Sequence, residues 1–158
     1  MSTVRQTYYI IVVEEDEVVY EKIVRALASL GQHHDVRRVT SQEELDDELV
    51  RLAPDFVICA RSRSEWNSFA VLKQVRAFQP NMPFALIRGG RDDPAALLAC
   101  GMDACIDADH LSELAPTVKE MLKRSMERQW RSVAEIRQSM SPFPPARRRA
   151  VRRALRTG

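Results

Sequence analysis

Three stretches of this chain are apolar with almost no alternation: residues 7–13 (Thr-Tyr-Tyr-Ile-Ile-Val-Val), 55–60 (Asp-Phe-Val-Ile-Cys-Ala) and 83–87 (Pro-Phe-Ala-Leu-Ile). A strand with one face in water alternates apolar and polar residues. A strand that is apolar on both faces needs cover on both. Segments with apolar residues at helical steps lie between these runs. Buried strands separated by helices predict a parallel sheet sandwiched between two helical layers.

The intervening segments carry their own start and stop signals. Residues 17–30 read as a helix with Val19, Ile23, Ala26, Leu27 and Leu30 on one face, ended by Gly31 in a left-handed conformation. Residues 35–40 are shorter and more polar, as suits a strand nearer the sheet edge. Ser41 and Glu44 have capping-box spacing. Leu45, Leu49 and Leu52 then recur at helical intervals, and Pro54 closes the segment. A third helix is predicted over about 67–78, with Ala70, Val71, Leu72 and Val75 facing inward and Pro80 beyond it. Asp93-Pro94 can open a fourth helix and Gly101 can cap it; residues 104–107 (Ala-Cys-Ile-Asp) form a short last strand. Five βα units with right-handed crossovers point to a flavodoxin-like (βα)5 doubly wound parallel sheet, strand order 2-1-3-4-5. Its pocket is expected outside the carboxyl ends of the strands, where the order switches between strands 1 and 3.

The last helical pattern is too long for such a domain. From about Ser112 to Met140 the one breaker is Pro116, tolerable in a first turn. Leu111, Leu114, Val118, Met121, Leu122, Met126, Trp130, Val133, Ile136 and Met140 recur at helical steps. At about 1.5 Å per residue the helix would run roughly 40 Å, about two turns or more past the body. Such a stripe needs a partner, and a partner helix is the economical one. Residues 141–145 (Ser-Pro-Phe-Pro-Pro) break the pattern. The expected organisation is a domain over 1–124, a helical extension over 125–140, and a Pro-containing linker with an Arg-rich tail over 141–158.

Charge divides along the same line. The net charge of +2 combines −4 from the first 140 residues with +6 from the tail, whose arginines are Arg147, Arg148, Arg149, Arg152, Arg153 and Arg156. The tail can contact nucleic-acid phosphate, dock on an acidic protein or anionic surface, or remain a solvated end. It has no aromatic interleaving and no helix-turn-helix pattern, so nucleic-acid binding is the weakly supported alternative. Cys59, Cys100 and Cys105 are odd in number, form no CxxC pair and sit in apolar contexts. They read as reduced thiols of a cytoplasmic protein. No apolar run reaches the roughly 20 residues of a membrane span, and no signal peptide is expected at the N-terminus.

Three carboxylates, Glu14, Glu15 and Asp16, follow directly on the first apolar run. Acids at the carboxyl end of a buried strand commonly hold a divalent cation beside a reacting group. The segment Ile-Ile-Val-Val-Glu-Glu-Asp resembles the first strand and acidic pair of the receiver domain of bacterial two-component response regulators, with Glu14 and Glu15 at the pair positions. The resemblance covers about residues 7–124 and rests on pattern more than identity. Pro54-Asp-Phe-Val-Ile-Cys-Ala is similar to the family's approach to its phospho-accepting Asp, a position held here by Ala60. Pro83-Phe-Ala-Leu-Ile-Arg is similar to the strand ending in the switch Ser/Thr, here Arg88. Gly101-Met-Asp-Ala-Cys-Ile-Asp-Ala resembles the segment before the invariant Lys and its Pro, here Ala108 and Asp109.

What the resemblance implies is therefore a degenerate receiver. A methyl group cannot accept phosphate. The Lys that would meet the phosphoryl oxygens and the hydroxyl that would follow them are absent. The expected function is a non-catalytic, phosphorylation-independent signalling module with no cofactor and no bound metal. It would act on a protein partner and form a homodimer through Val118, Met121, Leu122, Met126, Trp130, Val133, Ile136 and Met140. Arg88 can form a bidentate ion pair with Glu14 or Glu15 in the degenerate pocket, or extend into solvent. Arg61, Ser62, Arg63 and Ser64 read as a polar loop, Gly89-Gly90 as a loop hinge, and His33, His34 and His110 as solvated loop residues. Trp66 either anchors a partner or covers the edge of the third helix.

Overall fold

Tyr8–Val13 forms β1 and is buried at five of its six positions, which only a central strand allows. In the computed structural model of the chain, residues 7–31, 33–60, 66–89 and 93–140 are described. Among them β1 is flanked by β2 (His34–Val39) and β3 (Phe56–Ala60), followed outward by β4 (Phe84–Arg88) and β5 (Ala104–Asp107). All four pairings are parallel and the order is β2-β1-β3-β4-β5, as expected from the alternation of apolar runs and helices. Register sets Val13 beside Val39 and Cys59, Ala60 beside Ile87, and Arg88 beside Asp107. The carboxyl ends of β2 and β3 thus flank the acidic loop that follows β1.

The helices are α1 (Glu17–Leu27), α2 (Gln42–Leu52), α3 (Ser68–Phe78), α4 (Pro94–Ala99) and α5 (Leu114–Met140). Each of the first four starts on a side-chain cap: Asp16, Ser41, Asn67 and Asp93 accept N–H groups of the first turn. The capping-box geometry at Ser41 is present, with Glu44 also reaching back to Thr40. Pro94 occupies the first turn of α4. A 3-10 turn at Ala28–Leu30 follows α1 and ends on Gly31 at φ +73°, a conformation glycine takes at no steric cost.

The pleat divides the core. Ile11, Val13, Val57, Cys59, Phe84 and Leu86 pack with Leu45 and Leu49 of α2, Val71, Leu72 and Val75 of α3, and Leu97 of α4. Alternate residues Ile10, Val12, Ile58 and Ala85 are fully buried, as are Ile23 and Leu27 of α1. Each such aliphatic side chain contributes about 1.5–3 kcal/mol on removal from water.

Two aspartates finish the amino ends of the strands. Asp55 Oδ2 accepts the Tyr9 N–H at 2.9 Å, and Asp103 Oδ2 accepts the Phe84 N–H at 2.9 Å. Arg76 of α3 then binds Asp103 at 2.8 Å and the Gly101 and Pro80 carbonyls at 2.9 and 3.0 Å. Burial raises the Asp55 carboxyl above its usual range, against the Tyr9 N–H that lowers it.

The chain divides into two units, Met1–Leu122 and Lys123–Gly158. The sequence suggested one helix from about Ser112. Instead a 3-10 segment, Ala108–Glu113, precedes α5, because Asp107 caps it by accepting the Asp109 N–H at 2.9 Å. In the first unit α5 buries Leu114, Ala115, Val118 and Leu122. Val118 and Leu122, expected in the partner stripe, therefore belong to the domain's own core. A parallel sheet must cover both faces, and α5 supplies part of that cover.

Candidate functional site: a closed acidic loop at the strand ends

The acidic triplet does not converge. Glu14 continues the β1–β2 pairing, its N–H donating to the Val39 carbonyl at 3.2 Å. Its side chain turns back, and Oε1 accepts the Asp16 N–H at 2.8 Å. Asp16 faces the other way, its Oδ1 capping α1 through the N–H groups of Val18 and Val19 at 2.8 and 3.4 Å. Glu15 is exposed between them. Two of the three carboxylates thus serve the loop's own backbone, which a tight strand-to-helix turn leaves short of acceptors.

Arg38, which sequence reasoning missed, holds this loop from β2. Its Nε donates to the Glu14 carbonyl at 3.1 Å, and its Nη2 donates to the Glu15 carbonyl. Its guanidinium carbon lies 5.7 Å from the centre of the Tyr20 ring on α1, a cation–π distance. Burial raises the Tyr20 hydroxyl above its usual range, and the Arg38 charge opposes that rise. The register that sets Arg38 beside Val12 brings the guanidinium to the loop. The pair Arg37-Arg38 in an otherwise strand-like run was the available signal.

Arg88 has an anion beside it on the adjacent strand, where its Nη2 meets Asp107 Oδ2 at 3.6 Å. The two residues are register neighbours at the ends of β4 and β5, so Asp107 is the nearer anion. His110 Nδ1 stands 3.9 Å from the same oxygen. Asp107 therefore serves Arg88, His110 and the 3-10 cap together. It was legible as the one acid closing an apolar strand. Ala108 is exposed at the start of the 3-10 segment.

Ala60 ends β3 with 4% of its surface exposed. The neighbouring Cys59 is buried, and its thiol is pushed up to about 12, first by burial and then by the Glu14 charge. It is an inert core thiol at neutral pH. The Glu14 carboxyl is also raised, chiefly by burial and further by the charges of Asp16 and Glu15, while the Asp16 and Glu15 N–H groups oppose the rise.

The receiver resemblance implies a divalent cation at this position. Here one oxygen each of Glu14 and Asp16 is turned to loop N–H groups, Ala60 offers a methyl, and Arg38 sits on the Glu14 and Glu15 carbonyls, so the donor set is poorer than that cation needs. Among the described residues no three His, Cys, Asp or Glu side chains are grouped so as to hold a metal ion.

A raised carboxyl gives a testable sign. Below the ordinary Glu value of 4.5 Glu14 is protonated in both folded and unfolded chains and costs nothing. Above it the unfolded chain ionises first, so folding loses stability as pH rises to the folded-state value. Glu14→Gln keeps an oxygen for the Asp16 N–H and removes the charge. It is expected to unfold at higher urea than the native chain at pH 7, with the difference closing toward pH 4. Equal midpoints at pH 7 would contradict the assignment.

The remaining candidates fall in separate places. Trp66 packs against the core, and its Nε1 donates to Gln74 Oε1 at 3.2 Å; Gln74 in turn reaches Asp46 and the Gln42 carbonyl on α2. It covers the edge of α3. His34 opens β2 rather than lying in a loop. Met121 and Met126 are half-buried, while Trp130, Val133, Ile136 and Met140 are exposed on the second unit's part of α5. Residues 61–65, Gly90, and the Arg-rich tail from Arg147 to Arg156 lie outside the described residues. Among the described residues no helix is long and apolar enough to cross a membrane.

No family model and no curated protein matches the chain. Solved structures do match in fold. A signal receiver domain of an HD domain-containing protein from Pseudomonas fluorescens Pf-5 is 18% identical over 83% of this chain and 98% of that one, with a TM-score of 0.67. A CheY-like response regulator receiver domain protein from Methanospirillum hungatei JF-1 is 17% identical, covering 78% and 99%, with a TM-score of 0.65. NtrX from Brucella abortus is 20% identical over 84% of this chain but only 31% of its own, with a TM-score of 0.64. At these identities the likeness shows the fold, which is that of CheY-like receiver domains.

Proposed function

We propose that this chain is a receiver-like signalling module that is non-catalytic and independent of phosphorylation. It works through protein–protein contact and forms a homodimer through the distal part of α5. The observation that carries the first half is Ala60. A buried methyl occupies the end of the central strand where the receivers it resembles present their phospho-accepting Asp. The Arg38 grip on the acidic loop and the Arg88–Asp107 pair support the same reading, because each places a fixed cation where a switch would need an exchangeable ligand. The matched structures, a response regulator receiver domain and a signal receiver domain, favour a place in two-component signalling.

The second half rests on Trp130, Val133, Ile136 and Met140, which leave a large apolar area in water on one helix. Size-exclusion chromatography with light scattering tests it at tens of micromolar. The full chain is expected to elute as a dimer and a chain ending at Lys123 as a monomer. A full chain that stays monomeric removes the dimer from the reading.

A further inference from the structure

We propose that residues 126–140 of α5 pair in parallel and in register with the same residues of a second copy of this chain, and that Gln129 sets this orientation. The inference rests on the reading of α5 as an association helix and adds the geometry of the partner.

Counting in sevens from Met126 gives a seam. Met126, Val133 and Met140 occupy one repeating position, and Gln129 and Ile136 the other. Val133, Ile136 and Met140 are exposed, so this part of the seam is left open by the described residues. One flank repeats a serine, at Ser125, Ser132 and Ser139. Ser139 Oγ donates to the Ile136 carbonyl at 2.8 Å, so this hydroxyl is satisfied by its own helix. The other flank carries Lys123, Trp130 and Arg137.

These flanks separate the two orientations. In a parallel pair each serine-flank residue meets the residue five places on in the other copy. Ser125 then faces Trp130 and Ser132 faces Arg137, and no two like charges are opposed. In an antiparallel pair built on the same seam the flanks meet their own kind, so Lys123 faces Arg137 across the interface and each such contact is repulsive.

Gln129 decides more strongly. Parallel and in register, it faces Gln129 of the second copy, and each amide can donate to the other's carbonyl. Antiparallel, it faces Val133, and the seam buries an amide with no partner. A polar seam residue satisfied in one arrangement alone is a known device for fixing register.

The occupant is a second copy rather than an acidic helix by the placement of charge. Residues 123–140 carry five basic and two acidic side chains, but Arg124 and Arg131 lie on the outer face, away from the seam. Screening those outer charges should strengthen a homodimer as salt rises, whereas an acidic partner would be lost.

Cysteine cross-linking tests the orientation in the full chain carrying Cys100→Ser, since Cys100 is the exposed native thiol and Cys59 is buried. Met126→Cys and Ile136→Cys are each expected to form a covalent dimer on mild oxidation, with Arg131→Cys on the outer face forming none. An equal mixture of the first two should give no excess of the 126–136 cross-link. Gln129→Leu should admit that mixed cross-link. Light scattering on the reduced proteins is run beside it at low and high salt. Dimers that cross-link only between 126 and 136 overturn the parallel orientation and leave the dimer standing. Monomers at every salt overturn the association reading itself, and a dimer that weakens with salt overturns the charge argument.

Discussion

Introducing a carboxylate by Ala60→Asp is expected to destabilise the domain by about 2–4 kcal/mol at pH 7 and to leave it unmodified by acetyl phosphate and Mg²⁺. Position 60 is almost fully buried, and the nearby Glu14 is already held above its usual range by burial. Among the described residues Arg38 is engaged with main-chain carbonyls, Arg88 meets Asp107 and position 108 is Ala, so a second carboxylate there adds a buried charge beside Glu14. The sign follows from the same linkage as at Glu14. An acid whose folded value is raised ionises first in the unfolded chain, so the penalty is small near pH 4 and grows toward neutrality. Urea unfolding at the two pH values and intact-mass measurement check both halves. A variant as stable as the native chain would overturn the burial argument, and one that gains a phosphoryl group would show that the pocket can accept phosphate.

The contrast between Ala60 and Arg38 shows what was readable from sequence. Strand positions were legible because a doubly covered strand must be apolar on both faces, and residues 8–13, 56–60 and 84–87 stand out in the chain for that reason. Once the strand order is fixed, the residues ending each strand follow, which is how Ala60, Arg88 and the acidic triplet came to share one end of the sheet. Their partners did not follow. Whether Arg88 meets Glu14 or Asp107 depends on the register of β4 against β5 to a single residue, and no local pattern encodes that. Arg38 escaped for the same reason, since its grip exists only because Val12 and Arg38 are paired. Asp16 was visible as an acid but not as a helix cap, because an acid before a helix and an acid in a cation site look alike in sequence.

Two substitutions on one helix should have opposite consequences, and together they separate the domain's stability from its association. Leu122 is 3% exposed and closes the core of the first unit, so Leu122→Ala is expected to cost about 2–5 kcal/mol. On a domain of this size that lowers Tm by roughly 10 °C or more. Ile136 lies in the second unit with 56% of its surface exposed, so Ile136→Glu removes nothing from the core. In a symmetric pair each copy contributes one such residue, and two buried charges facing each other should weaken dimerisation by about 100-fold or more. Thermal unfolding at a concentration low enough to hold the monomer should give Ile136→Glu the native Tm, and sedimentation at tens of micromolar should find it monomeric. Leu122→Ala should behave the other way, with Tm lowered at every concentration and dimerisation retained below it. If Ile136→Glu lowered the monomer's Tm as Leu122→Ala does, the distal stripe would be part of the core and association would have to lie on another face. If it left the dimer intact, the seam through Val133, Ile136 and Met140 would be excluded, and with it the physical reason for so long a final helix.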